Sequence, residues 1–86
     1  MKFDPDAEID PEAPLTEYKQ LAGILRARIE RGDWEPGRRI ASETDLTQQY
    51  GLARSTVRRA IAVLVEEGLL FTVPQRGTFR KQHTET

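Results

Sequence analysis

The chain has no cysteine, one methionine, one tryptophan and one histidine. Without thiols there is no disulfide framework and no thiolate metal site. The lone histidine, His83, lies in the C-terminal tail and reads as a tail residue, neither a ligand nor a catalyst. No apolar run approaches the roughly 18 residues that a membrane span needs. The opening stretch MKFDPDAEIDPEAP lacks the basic start and apolar block of a secretory signal. No pair of acids is spaced for a plausible catalytic cleft, so enzyme chemistry is the class least supported. No cofactor or metal site is expected, and the expected setting is a reducing cytoplasm. With 86 residues there is room for one modest core and none for a separate ligand-binding domain, so no small-molecule effector is expected.

Net charge is also nearly missing, at −1, but the average hides two unlike parts. Residues 1–17 carry Lys2 against Asp4, Asp6, Glu8, Asp10, Glu12 and Glu17. Residues 38–81 carry Arg38, Arg39, Arg54, Arg58, Arg59, Arg76, Arg80 and Lys81 against only Glu43, Asp45, Glu66 and Glu67. The local field, not the total, is what a polyanion would meet. Residues 1–13, acidic and broken by Pro5 and Pro11, are expected to bury almost nothing and stay disordered. They read as a solvated tail, or as an arm that competes with an anionic partner for the basic face.

From Pro14 the pattern turns helical. Leu15, Tyr18, Leu21, Leu25 and Ile29 recur on one stripe. Thr16 is placed to cap the start and Gly32 to end the helix. Gly23 inside costs roughly 1 kcal/mol relative to alanine, which suggests close packing there. This helix reads as core support, with a share in a dimer contact as the second reading. Pro36-Gly37 fits the centre of a type II turn, and Trp34 reads as a lid on the core. Residues 38–41 read as a very short strand.

The stretch from Ser42 to Gly68 is the most informative. Ser42-Glu43-Thr44-Asp45 has the form of a capping box, and the carboxylates of Glu43 and Asp45 both have a capping explanation. A short helix over about 43–50, a tight Gly51-Leu52-Ala53 turn, and a second helix over about 54–67 follow. This is the layout of a helix-turn-helix. In the second helix Val57, Ala60, Ile61, Leu64 and Val65 share one apolar face. Ser55, Arg59, Ala62 and Glu66 point the other way, with Arg58 on the flank. A solvated basic face would look the same in isolation. After Gly68 the period becomes two. Residues 69–73 and 78–81 read as strands around a Pro74-Gln75-Arg76-Gly77 turn, a small wing. The domain is therefore expected over 14–81, with 82–86 a frayed tail.

In this order the parts resemble the winged-helix DNA-binding domain of the GntR family of bacterial transcription regulators. The likeness covers about residues 14–80. It rests on Leu25-Arg26 and Ile29 with Gly32, Pro36-Gly37, Ser42-Glu43 with Leu46, and Gly51-Leu52. It continues through Arg54, Thr56-Val57-Arg58, Ala60, Leu64, Glu67-Gly68-Leu69 and Arg76-Gly77-Thr78-Phe79. The resemblance implies a mainly α fold with a small antiparallel β-hairpin, a winged helix-turn-helix. It implies a sequence-specific regulator of transcription, a repressor, that binds double-stranded DNA; because one such module contacts few base pairs, a homodimer on an inverted repeat is expected, at least on DNA. The resemblance implies DNA contacts at Arg54, Ser55, Thr56, Arg58, Arg76 and Gly77, and Arg39, Ser42, Thr44 and Arg59 complete the expected DNA-contacting set. Arg54 and Arg58 would read bases or the flanking phosphates, Arg39 and Arg59 would hold phosphates, and Arg76 would serve the wing. Three positions depart from the family. Ala41 stands where proline is common, Thr44 where many members have a DNA-touching arginine, and Ala53 where a serine or threonine would cap the next helix. The chain ends at the wing, so ligand control is not among what the resemblance implies. The alternative is a winged helix that docks a protein partner.

Overall fold

A computed structural model describes residues 3–82. Three helices are followed by a two-stranded hairpin: α1 (Glu17–Arg31), α2 (Glu43–Tyr50), α3 (Arg54–Glu66), β1 (Leu70–Val73) and β2 (Gly77–Arg80). This is the mainly α winged helix-turn-helix that the residues imply. Except for Gln82, the tail of 82–86, with His83, lies outside the described residues. No helix among the described residues is long and apolar enough to cross a membrane.

The core is made where the apolar faces of the three helices and β1 converge. Leu21 and Leu25 of α1, Leu46 of α2, Val57, Ala60 and Leu64 of α3 and Leu70 of β1 are almost fully buried. Trp34 packs against this core from the connector, as its lid, with the Arg28 guanidinium 4.5 Å above its ring. Two residues leave the stripes that periodicity assigned them. Leu15 is 40% exposed and Val65 38% exposed. Leu15 precedes the first helical turn. Val65 lies at the end of α3, where Val63 instead leans on the core.

Local chemistry explains the helix ends. Ser42 accepts from the Asp45 N–H at 3.0 Å, and the Ser42 N–H donates to the Asp45 carboxylate at 3.3 Å. Both halves of the capping box are therefore made. Glu43 takes no part in it, contrary to the sequence expectation. Thr16 occupies the cap position of α1 with extended backbone, but its side chain makes no capping bond. Gly51 ends α2 at φ 66°, a conformation that costs other residues roughly 1–2 kcal/mol. That turn sets the angle between α2 and α3. Gly37, at φ 81° with the Arg38 N–H on the Glu35 carbonyl at 3.0 Å, completes the type II turn. At the end of α1, hydrogen bonds from Arg31 and then Arg28 hold the Asp33 carboxyl well below the usual carboxylate range.

The hairpin pairs Leu70 with Arg80, Phe71 with Phe79, Thr72 with Thr78 and Val73 with Gly77. The strand expected over 38–41 shrinks to a single bridge, Arg39 with Phe79. The Pro36-Gly37 turn before it and the Ser42 cap after it leave too little extended chain for more. The Arg80 guanidinium donates to the Trp34 carbonyl at 2.6 Å, which ties the wing to the connector.

The N-terminal segment departs most from expectation. Ile9 packs against the core. The side-chain amide of Gln20, itself buried, accepts from the Asp10 N–H at 2.9 Å and donates to the carbonyls of Asp10 and Leu15. Asp6 pairs with Arg31 at 2.9 Å. The Phe3 ring occupies the space that a side chain at Gly23 would need, so the bare backbone at Gly23 does mark close packing. Composition pointed to disorder because one apolar residue at a time carries little weight in an average. The buried Gln20 amide with its three partners seats the segment together with Ile9, the Asp6–Arg31 pair and the Phe3 ring.

Candidate nucleic-acid interface

The turn at Gly51 places the first turns of α3 beside the start of α2. Arg54 and Arg58 lie one helical turn apart and project from the same flank. Both converge on one carboxylate. Arg54 Nη1 donates to Glu43 Oε1 at 3.2 Å, and Arg58 Nε donates to Glu43 Oε1 and Oε2 at 3.0 and 3.1 Å. Arg54 Nη2 also donates to the Thr44 hydroxyl at 3.3 Å. The guanidiniums remain largely open to solvent, with side chains 50% and 64% exposed. One carboxylate thus aligns two forks side by side without hiding them.

A groove of about 620 Å³ separates the start of α2 from the wing. Arg39, Ser42, Thr44, Arg54, Arg76 and Gly77 all line it. Six of the ten expected contact residues are therefore brought to one concave surface. Arg39 sits at the wing root and its Nη1 donates to the Arg76 carbonyl at 3.0 Å. A Cβ at Gly77 would lie 3.0 Å from Arg39 Cδ, so glycine there lets the arginine cross close to the strand. The wing turn itself carries an unexpected feature. Gln75 adopts φ 65°, the positive value that the third position of a type II turn requires after Pro74.

The other expected residues fall elsewhere. Arg58 reaches this surface only through Glu43. Ser55, Thr56 and Arg59 line a second groove, of about 340 Å³, together with Thr16, Glu17 and Tyr18 from the start of α1. The Arg59 guanidinium lies 4.2 Å above the Tyr18 ring. Neighbouring arginines on α3 are thus drawn to opposite flanks, Arg58 toward α2 and Arg59 toward α1.

Sequence reasoning misses Glu43 as the partner of the two arginines, because a place in the first turn of α2 already accounts for its charge. It also misses Tyr18, whose place on the α1 stripe speaks only for burial. No spacing rule links either residue to α3, since both contacts depend on how helices cross.

The family described as bacterial regulatory proteins, gntR family, matches residues 17–79. The HTH-type transcriptional repressor NagR of Bacillus subtilis is 38% identical over 71 residues, which are 83% of this chain and 29% of that protein. The histidine utilization repressor of Klebsiella aerogenes is 39% identical over 67 residues, 78% of this chain and 28% of that one. The chain therefore spans less than a third of the length of these relatives. Among solved structures, the DNA-binding domain of AraR in complex with operator ORR3 superposes with a TM-score of 0.76 at 35% identity. That match covers 93% of this chain and 94% of the AraR domain.

Proposed function

The chain belongs to the gntR family of bacterial regulatory proteins, and from that premise we propose that it binds a specific duplex DNA sequence in the cytoplasm and represses transcription there. In this reading α3 enters the major groove, with Arg54 and Arg58 presented to base edges and flanking phosphates. The wing lies on the adjacent minor groove or backbone through Arg76 and Gly77. Arg39, Ser42 and Thr44 face phosphates from the groove between them, and Ser55, Thr56 and Arg59 serve the opposite flank. The observation that carries the reading is the pair of exposed, aligned guanidiniums on α3, opposite a wing that offers Arg76, with Arg39 at its root. Arginine forks match guanine O6 and N7 in the major groove. The regulatory relatives and the operator-bound AraR domain are consistent with it.

One such module touches few base pairs. Two copies on an inverted repeat would read half-sites about 34 Å apart, so the bound form is a homodimer. Sedimentation with and without the DNA tests this: a single protomer per duplex would refute it. The function itself is tested by selecting bound sequences from a random pool, then measuring mobility shifts at low and moderate salt against competitor DNA. Selective retention supports a regulator. Retention of none favours the alternative, a winged helix that docks a protein partner.

Glu43 makes a further expectation. Its carboxylate offsets charge that would otherwise bind any phosphate. Exposed ion pairs of this kind are worth about 0.2–1 kcal/mol. Glu43→Gln is expected to raise affinity for mixed-sequence DNA about two- to fivefold. The ratio of selected to mixed-sequence affinity should fall, because the forks lose their alignment. Competition binding with both duplexes gives the answer, and an unchanged ratio contradicts the aligning role.

A further inference from the structure

Arg58 and Arg59 are neighbours on α3, yet they are held by different helices. Arg58 meets a carboxylate on α2, while Arg59 lies on the face of Tyr18 from α1. Tyr18 is anchored, since it packs against the core. The ring is thus a fixed seat and the guanidinium rests on its outer face. Around it, Ser55 and Thr56 of α3 and Thr16 of α1 line one groove. The Thr16 hydroxyl is not used to cap its own helix. Glu17 lines the same groove, and its negative charge repels a phosphate from that end, so any anion must be held by Arg59, Ser55 and Thr56.

We propose that Tyr18 is a positioning residue that holds Arg59 ready, beside Ser55 and Thr56, for a DNA backbone phosphate on the α1 flank of the recognition helix. The proposal rests on the DNA-binding reading above and adds to it a division of labour between adjacent arginines. A long arginine side chain loses rotamer freedom when it is pinned. Stacking on an anchored ring removes that freedom before DNA arrives, so less is lost on binding. A guanidinium seated over α1 is turned from the flank that Arg58 occupies. It therefore supplies affinity and register without sequence information, which is the character of phosphate contacts.

The test uses Tyr18→Phe, Tyr18→Leu, Arg59→Ala and the Tyr18→Leu/Arg59→Ala double variant. Each is titrated by fluorescence anisotropy with the selected duplex and with a mixed-sequence duplex, across a salt series. Phenylalanine keeps the ring face, so Tyr18→Phe should bind as the parent does. Tyr18→Leu should weaken both duplexes equally, about two- to fivefold per protomer, leaving their ratio unchanged. Arg59→Ala should weaken both and reduce the salt slope by about one per protomer. Adding Tyr18→Leu to Arg59→Ala should then cost nothing more. Additive losses in the double variant would show a purely structural tyrosine and overturn the proposal, as would a changed ratio or no effect of Tyr18→Leu. A parent protein that binds neither duplex overturns the DNA-binding reading together with this one.

Discussion

Arg58→Ala is expected to lower affinity for the selected sequence by about 5- to 150-fold per half-site, while mixed-sequence DNA loses no more than one phosphate contact. The range follows from the roughly 1–3 kcal/mol of discrimination carried by a bidentate arginine on guanine. The geometry explains why the loss is selective. Arg58 is the more open of the two aligned arginines, with its side chain 64% exposed, and among the described residues its hydrogen bonds go to Glu43. Removing it leaves Arg54 on Glu43 and Thr44, so the remaining surface keeps its shape. Arg58→Lys separates charge from geometry. Lysine keeps the positive charge as a compact point but has no planar fork. It should retain binding to mixed-sequence DNA and still lose preference for the selected site. Competition titrations at two salt concentrations measure both quantities. If Arg58→Ala lowers the two affinities by the same factor, Arg58 is a phosphate contact and the base-reading role belongs to Arg54 alone.

The second large effect concerns the platform under that helix. Leu64 is 0% exposed, and its truncation to alanine removes buried methyl groups and leaves a cavity. Such changes cost about 2–5 kcal/mol. A domain of 86 residues is stable by only about 4–13 kcal/mol. Leu64→Ala should therefore lower the thermal midpoint by roughly 10 °C or more and reduce DNA binding through loss of folded protein. Val65→Ala is the informative partner. Periodicity placed Val65 on the same buried face, whereas the structure leaves it 38% exposed. Its truncation should cost well under half as much. Calorimetry of the two variants separates the readings, and equal losses would put Val65 back in the core.

Much of the fold is legible in the sequence, for identifiable reasons. Helix spacing in α3 placed Val57, Ala60, Ile61 and Leu64 inside. The Ser42–Asp45 box and the glycine after Tyr50 bounded α2. The switch to period two after Gly68 marked the hairpin. Each of these signals is local, carried by hydrogen bonds or torsion angles within a few residues. Val65, Leu15 and the short strand at 38–41 depart from these signals because each lies at or beyond the end of the element that would cover it.

The N-terminal segment shows the same limit from the other direction. An acidic, proline-broken stretch has no periodic signal, so nothing in its composition singles out Ile9, Asp10 or Phe3. Their partners, the core, Gln20 and Gly23, become available only when α1 is folded and in place.

From the order of residues alone came the family pattern, the helix boundaries, the wing and the identity of the basic side chains, because each depends on contacts between near neighbours in the chain. The three-dimensional arrangement decided which of those side chains meet. Glu43 lies 11 and 15 residues from the two arginines it aligns, and Tyr18 reaches Arg59 from another helix. Periodicity assigns an angle around one helix axis. The distance between side chains on different axes follows from how those axes cross, and that is settled by packing of the shared core.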